Sequence, residues 1–345
     1  MNWQTAMVPG YAPDGKPVLS VLAKKTYLLQ SEKIVPAGKQ FPLNISDTPS
    51  DPSNPLYSET VTESDLVAFK QNTDIVVHAK AHSPKGKKAY FLDCEIVIGP
   101  VNKKIRVFGH RKIESRLIGG IKFTCPVPFE KQETGWAHTY GGVARLKKGI
   151  FYPFPPNPIG TGFNLKGGIQ DYSQIKVPCC EDPDFPVEPQ DLILRRFSDW
   201  KKAPKPVSFG WTKPTFFPRF TFAGVFPELS GASGADYKIN PQLPALDFRF
   251  YQGASEGLCD CLLQGNEHVK LIYMDPQQPV FEFDLPDDKP VISLFVGNSC
   301  IELTPVLQTL FIDKESSSLF MVWRGSMQYN WKEMTGKSLP RFRVV

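Results

Sequence analysis

The sequence has 345 residues, of which 41% are hydrophobic and 22% are charged, the proportions of an ordinary globular protein. This composition excludes disorder across most of the chain. With 40 basic and 35 acidic residues the formal net charge is only +5, and the basic residues are scattered along the chain, so the charge does not indicate a nucleic-acid-binding protein. No apolar run of about 18 residues is present, so the sequence predicts no membrane insertion.

The glycine and proline content indicates the fold class. The chain has 26 Gly and 33 Pro residues, and long helices tolerate neither type well. We therefore predict a mainly β protein with antiparallel sheets, in sandwich-like or β-meander parts, with long Pro/Gly-rich loops and few short helices. At roughly 150 residues per domain the length predicts about two domains. A single large all-β domain is the alternative.

The first third of the chain shows the alternation of half-buried strands. A strand is predicted from Val18 to Leu29, followed by a Pro-rich surface connection. In DIVVHAKAH at 74–82 every second residue is apolar or small, and SPKGKK at 83–88 has the residues of a turn. Alternation resumes at 90–98 and again at 104–109. Sequential antiparallel pairing of these segments predicts a β-meander.

The middle of the chain has little periodicity. Residues 125–190 include FYPFPPNPIGTGF and are predicted to form long ordered loops, which in compact proteins are usually functional or linking. The predicted division is an N-terminal β-rich part over 1–150, an irregular Pro/Gly-rich connection over 151–200 and a C-terminal β-rich part over 201–345. One compact unit is the alternative.

The last third returns to strand patterns. Apolar and aromatic runs predict strands at 245–251 and 268–274. Phe281, Phe283 and Leu285 alternate with acidic residues, and 291–296 is a continuous apolar run. Residues 303–324 contain two apolar segments around a polar turn, which predicts a hairpin.

The candidate metal ligands have simpler explanations. His78 and His82 would stand roughly 13 Å apart on a strand, too far to share one metal ion. Cys259 and Cys261 would share one face of a strand and pack inward. The seven cysteines form an odd number, and no secretory signal precedes them, so we predict free thiols and a cytoplasmic protein. No metal and no cofactor is predicted.

The candidate catalytic residues are equally weak. The G-x-S-x-G elbow is absent, and GASGA at 231–235 is a different pattern. No phosphate-binding loop is present. The acidic residues Glu181, Asp182 and Asp184 are flanked by prolines and are expected to cap turns. No catalytic residue is predicted, and the profile suits a binding protein.

A series of short segments, in order along the chain, resembles the type VI secretion accessory family catalogued as domain of unknown function 2169. The segments are DIVVHAKAHSPKGKK from 74, VFGHR at 107–111, PFEKQETGWAHTYGG at 128–142, NPIGTGF at 157–163, EDP at 181–183, FG at 209–210, LDFRFYQGASEG at 246–257, LLQGNEHVKL at 262–271 and VWRG at 322–325. Three departures are His110, where the family pattern has Asp, GAS at 253–255 in place of AAP, and the replacement near Ile113 of the Trp that usually follows the VFG element.

The resemblance implies a non-enzymatic adaptor or chaperone that acts in the cytoplasm of the producing bacterium. Its partners would be a cognate effector or PAAR-like tip protein and the VgrG spike. The residues that match family motifs are expected to be structural: Gly109, Arg111, Asn157, Gly160, Gly162, Glu181, Asp182, Arg249, Trp323 and Arg324. Arg249 and Arg324 are expected to pair with buried carboxylates or carbonyls.

Aromatic residues in the loop region are the candidate partner-binding anchors, because aromatic side chains carry much of the binding energy of protein interfaces. These candidates are Trp136, Tyr140, Phe151, Tyr152, Phe154 and Phe163. Packing within the loop region is the alternative for each of them.

Two other functions stay open from the sequence. One is an enzyme, such as a carbohydrate-active β-sandwich, which would show opposed carboxylates or a bound metal. The other is a structural component of the secretion apparatus.

Overall fold

The computed structural model describes residues 3–12, 14, 16–30, 33–116, 120–146, 149–166, 168, 172–223, 225–228, 236–239, 247–329 and 340–345. The predicted class is confirmed, since the described chain is mainly β and most strand pairs are antiparallel. The described helical segments are 3-10 turns at Pro55–Tyr57, Trp136–His138, Tyr172–Gln174, Pro189–Leu192, Phe197–Lys202, Arg219–Ala223 and Phe248–Tyr251.

The strands are β1 (Gln4–Tyr11), β2 (Pro17–Leu29), β3 (Ile34–Pro36), β4 (Thr48–Pro49), β5 (Thr60–Thr62), β6 (Asp74–His78), β7 (Lys80–His82), β8 (Phe91–Ile98), β9 (Val101–Phe108), β10 (Ile113–Arg116), β11 (Gly120–Phe123), β12 (Lys131–Glu133), β13 (Tyr140–Gly141), β14 (Val143–Arg145), β15 (Phe151–Pro153), β16 (Thr161–Gly162), β17 (Asn164–Leu165), β18 (Cys180–Glu181), β19 (Ile193–Leu194), β20 (Val225–Glu228), β21 (Asp236–Ile239), β22 (His268–Ile272), β23 (Val280–Asp284), β24 (Ile292–Val296), β25 (Ser299–Leu303), β26 (Pro305–Asp313), β27 (Ser318–Gln328) and β28 (Arg341–Val344).

The largest sheet joins the two ends of the chain. Its strand order is β1-β2-β27-β26-β6, with β3 also paired to β2. All of its pairs are antiparallel except β26 with β6, which is parallel. Strand β2 is buried along most of its length because the sheet is covered on both faces, as its nearly continuous apolar sequence indicates.

A second large sheet has the order β18-β9-β8-β22-β23. In β8 the alternation is regular, with Leu92, Cys94, Ile96 and Ile98 buried. These side chains form one core with Ile75, Val77 and other residues of the first sheet. A third sheet, β25-β24-β28, packs Ile292 and Leu294 against Leu19 and Val21 of β2.

The predicted meander is only partly correct. Strands β8 and β9 form the expected antiparallel hairpin. Strands β6 and β7 are also present, but β6 lies parallel to β26 and β7 pairs with β12, so neither continues into β8. A two-residue period fixes which face of a strand is buried and does not choose the neighbouring strand.

The last third follows the sequence prediction at β22, β23, β24 and the β26–β27 hairpin. The strand predicted at 245–251 is wrong where the structure describes it, because Phe248–Tyr251 is a 3-10 turn, and 245–246 lie outside the described residues. Short apolar runs do not distinguish strands from helical turns.

The middle segment folds around a compact aromatic cluster, with Tyr140, Phe154, Phe163 and Trp200 buried at its centre. Both large sheets combine strands from the first and last thirds of the chain. The boundaries predicted at 150 and 200 stay a prediction.

Candidate functional site

Residues 41–66 form a hairpin loop on the surface, which we call the acidic hairpin. It contains five acidic residues and no Lys, Arg or His. Strands β4 and β5 pair antiparallel within it, and the 3-10 turn Pro55–Tyr57 forms its tip.

Buried cations from the body of the protein hold the base of the acidic hairpin. Lys24 Nζ of β2 lies 2.9 Å from Asp65 Oδ2, and both side chains are buried. Arg219 binds the Glu63 carboxylate through two nitrogens, with Nη2 3.0 Å from Oε2. Burial raises the pKa of Glu63 against the opposing effect of Arg219, and burial lowers the pKa of Lys24. Such pairs fix geometry more than they add net stability.

A third buried cation supports the tip. Lys213 Nζ donates to the carbonyl oxygens of Pro55 and Ser58, at 2.6 Å for Ser58, and burial lowers the pKa of this lysine. Above it, Asp51 accepts hydrogen bonds from the backbone N–H and hydroxyl of Ser53. The tip is therefore an ordered turn with its backbone carbonyls satisfied from below.

The side chains at this tip face solvent. Leu56 is 67% exposed and Tyr57 is 59% exposed. Ile45 and Phe41 are further exposed apolar residues of the acidic hairpin. Large apolar side chains on an ordered and otherwise polar loop are typical of protein-binding surfaces.

A cleft of about 110 Å³ lies beside the acidic hairpin. Its lining residues are Ser50, Glu59, Thr60, Val61, Val76, Val77, His78, Ala79, Glu133, Thr134, Gly135, Trp136, His138, Ser208, Phe209, Gly210, Trp211 and Phe311. Glu59 Oε1 accepts the backbone N–H of Ala137 at 2.7 Å, which joins the hairpin to the far wall. A hydrogen bond from His78 Nδ1 to Asp313, 3.0 Å long, raises the pKa of His78.

The far wall of the cleft depends on Asn157, which is fully buried. Its Nδ2 donates to Trp136 O at 2.9 Å and to Tyr140 O at 3.1 Å. The motif segments at 128–142 and 157–163 are thereby joined, and β13 and β16 pair in parallel at the same place. A side chain at Gly160 would collide with Asn157, with only 2.3 Å from the Cβ to Nδ2. Gly162 has a φ of +100°, which favours glycine.

The six candidate anchors are brought near one another but are not alike in exposure. Tyr140, Phe154 and Phe163 are buried and pack ring against ring, with centroids 5.1 Å apart in each successive pair. Trp136 is buried at the wall of the cleft. Tyr152 is half-buried against Phe197, and Phe151 is 49% exposed. Of the six candidates, only Tyr152 and Phe151 reach the surface. The other four are buried by packing within the loop region, which was the alternative for each of them.

Two motif residues form a buried ion pair between β18 and the segment after β9. Arg111 Nη2 donates to Pro178 O at 2.9 Å and to Glu181 Oε2 at 3.3 Å. Burial raises the pKa of Glu181, opposed by Arg111. Gly109 packs against the carbonyl of Val127, and Asp182 caps the following turn through the backbone N–H of Asp184.

The remaining motif residues lie in two places. Trp323 is buried in the main core. Arg324 is buried as well and donates from Nη2 to Lys70 O at 3.1 Å, which confirms the expected carbonyl partner. Arg249 pairs with Asp247 on the surface, so the buried partner predicted for it is wrong.

One edge of the largest sheet has no neighbouring strand among the described residues. Strand β1 pairs with β2, and in the described part of the chain no hydrogen bond joins its other side to a neighbour. Its sequence, QTAMVPGY, has no charged residue. At the opposite edge, β6 is covered by hydrogen bonds from Ile75 N to Leu258 O and from Val77 N to Phe209 O.

Among the described residues no group of three or more His, Cys, Asp or Glu side chains is arranged to hold a metal ion. All seven cysteines are free. Cys259 and Cys261 were expected on a strand, but they lie half-buried in a loop against the core. The GASGA segment lies outside the described residues. No described helix is long and apolar enough to cross a bilayer.

The described residues form a mainly β protein with an ordered acidic hairpin and a sheet edge that no described strand covers. The chain belongs to the family described as "Uncharacterized protein conserved in bacteria (DUF2169)", whose model matches residues 14–324. Membership of domain of unknown function 2169, predicted from the motif series, is thus confirmed, whereas the link to type VI secretion stays a prediction. No curated protein matches the chain, and no solved structure does.

The sequence analysis missed the acidic hairpin. Its prolines and serines indicated a surface connection, whereas the residues that order it, Lys24, Lys213 and Arg219, lie far away in the chain. One local signal was present, namely 26 residues without a basic side chain in a chain of positive net charge.

Proposed function

We propose that this protein is a non-enzymatic adaptor that binds a type VI secretion effector or a PAAR-like tip protein in the cytoplasm and helps load it onto the VgrG spike. The ordered motif series supports the secretion context. The open edge of β1 carries the proposal that the protein binds a client.

An uncovered strand edge is a template for another strand. Natural sheets usually blunt such edges with charges or cover them, because exposed backbone N–H and C=O groups pair with other chains. Strand β1 has eight residues and no charge, and Pro9 interrupts it near its C-terminal end. A client strand adding to β1 would gain backbone hydrogen bonds that require no particular client sequence.

The position of Pro9 indicates which backbone groups of β1 point to its unpaired side. Proline has no N–H, and within sheets it occurs where the nitrogen points away from the neighbouring strand. Pro9 lies opposite Leu19 of β2, so its nitrogen faces the open side. Because backbone direction alternates along a strand, Thr5 and Met7 also direct their N–H groups outward, while Ala6 and Val8 bond to β2.

The experiment is an affinity pull-down from the native cytoplasm, followed by mass spectrometry, with variants at two neighbouring positions. The wild type is expected to retain one toxin or PAAR-like protein near stoichiometrically. Thr5→Pro removes an outward N–H from an exposed position and is expected to weaken retention on the order of tenfold with the fold intact. Thr5→Val keeps the N–H and is the matched control.

Ala6→Pro is the contrasting variant, because it removes an N–H that bonds to β2. It should lower the thermal stability of the protein, whereas Thr5→Pro should not. Retention of no effector or tip protein by the wild type, in cells that express the secretion genes, would contradict the adaptor function. Equal retention by Thr5→Pro and Thr5→Val would contradict binding through β1.

A further inference from the structure

We infer that the tip of the acidic hairpin is a second docking element, in which Leu56 and Tyr57 insert into an apolar depression with a basic rim on the partner protein. This inference rests on the adaptor function proposed above and names the chemistry of the partner surface.

The tip is ordered before any partner binds. Lys24 and Arg219 hold the two buried carboxylates at its base, and Lys213 holds the carbonyls of Pro55 and Ser58. Pro55 occupies the start of the 3-10 turn and restricts its backbone. A preorganised loop loses little conformational entropy on binding, so more of the contact energy appears as affinity.

The apolar side chains at the tip are exposed to solvent. The ordered turn holds Leu56 and Tyr57 at 67% and 59% exposure. Tyrosine is enriched among the residues that dominate protein interfaces because its ring is large and rigid and its hydroxyl can pair at the rim.

Charge identifies the kind of partner. The charged groups of the acidic hairpin that are not buried in ion pairs are Asp47, Asp51 and Glu59, all of them acidic. Lys213, the cation that supports the tip, is buried beneath the loop and engaged by carbonyls. This surface repels nucleic acid and anionic lipid, and it complements a protein surface with Lys or Arg around an apolar pocket.

The base of the acidic hairpin lies close to β1. Lys24, which holds Asp65, lies directly opposite Gln4 of β1 in the sheet register. Ala68, just beyond the hairpin, packs against Gly10 at the other end of β1. The base of the acidic hairpin is therefore near the edge strand, whereas the cleft beside the hairpin is lined by β6 at the opposite edge of the sheet.

The test uses the full chain and, as probe, the client protein that the wild type retains, purified and titrated by calorimetry. The double variant Leu56→Ser, Tyr57→Ser is expected to raise Kd roughly thirtyfold, as the loss of a central anchor does. Phe185→Ser is the matched control, since Phe185 is 72% exposed on a turn beside β18, in the other large sheet, and its loss should leave Kd unchanged.

A second pair of substitutions tests the charge argument. In Asp47→Asn, Asp51→Asn the amide oxygens can still accept the hydrogen bonds from Ser64 N and Ser53 N, so the loop should stay ordered. Affinity of the wild type is expected to fall as salt rises, and this double variant should show a clearly flatter salt dependence.

The outcomes separate this inference from the proposed function. A client bound equally well by the Leu56, Tyr57 variant would contradict the docking role of the tip and leave the adaptor function standing. Affinity that is insensitive to salt in the wild type would contradict the basic rim. If the wild type retains no client at all, the adaptor function and this inference both fail.

Discussion

Asn157 shows how a single buried amide can position a surface. Its two hydrogen bonds satisfy the carbonyl oxygens of Trp136 and Tyr140, which belong to a separate motif segment. The amide therefore sets the position of the cleft wall from a loop that does not itself line the cleft.

Asn157→Ala is expected to lower the free energy of unfolding by about 2–4 kcal/mol, because the carbonyl oxygens of Trp136 and Tyr140 each lose the hydrogen bond from the amide and a cavity remains. Asn157→Asp should be at least as destabilising, since a carboxylate would face the same two carbonyl oxygens. Urea denaturation measures both. As a control, Gly38→Ala, where an added Cβ meets no atom within 4 Å, should change stability little. Equal stability of Asn157→Ala and wild type would show that these bonds do not hold the motif loops.

We expect His78 to make the stability of the protein depend on pH. The hydrogen bond to Asp313 raises the pKa of His78, so protonated His78 favours the folded state at low pH and this contribution is lost as pH rises through the raised pKa. Asp313→Asn keeps oxygen acceptors for the turn over 313–316 and removes the charge. The histidine titration followed by NMR should shift to lower pH. Asp284→Asn, which alters the pairing of His268 instead, should leave the His78 titration unchanged.

At the scale of elements, the acidic hairpin depends on cationic side chains from other parts of the protein. Lys24→Met leaves Asp65 buried without its cation and should cost about 3–5 kcal/mol. The double variant Lys24→Met, Asp65→Asn should recover much of this, because the amide oxygen still accepts the backbone N–H of Asn44.

Hydrogen exchange separates a local effect of Lys24→Met from a global one. Amides of residues 41–66 should exchange faster in Lys24→Met, while those of β8 and β9 in the other large sheet should change less. Uniformly faster exchange across both sheets would show that Lys24 stabilises the whole fold and does not act on the hairpin in particular.

The local sequence predicted the strands that have a regular pattern of apolar residues. Strand β2, the β8–β9 hairpin and the β26–β27 hairpin each bury side chains in the order that their sequences indicate. The parallel pairing of β6 with β26 and the pairing of β7 with β12 could not be predicted, because strand partners far apart in sequence are chosen by tertiary packing.

The candidate site was harder to predict than the strands. Aromatic content indicated binding residues in the loop region, but Tyr140, Phe154 and Phe163 are buried there, since large rings supply the core of a segment that has few regular strands. The acidic hairpin had the composition of an ordinary loop, and only its distant cations make it an ordered surface.

At the scale of the whole molecule, the strand order determines how the chain unfolds. Strand β2 near the N-terminus pairs with β27 near the C-terminus over the register Val18–Gln328 to Leu28–Ser318. Strand β22 likewise pairs with β8, so each large sheet is complete only when both thirds of the chain are present. Closing such distant pairs is costly in entropy, and neither third can offset that cost alone.

We therefore expect cooperative loss of both large sheets. In denaturant, hydrogen-exchange protection of β2, β27, β8 and β22 should disappear over one range of concentration, and circular dichroism should show a single main transition.

A fragment of residues 1–150 lacks β22, β26 and β27, so its first sheet would expose the apolar faces of β2 and β6. The fragment should therefore show no cooperative unfolding of its own. A 1–150 fragment with a cooperative transition would instead establish the N-terminal part as an independent domain, and the pairing of β2 with β27 would then be a contact between domains.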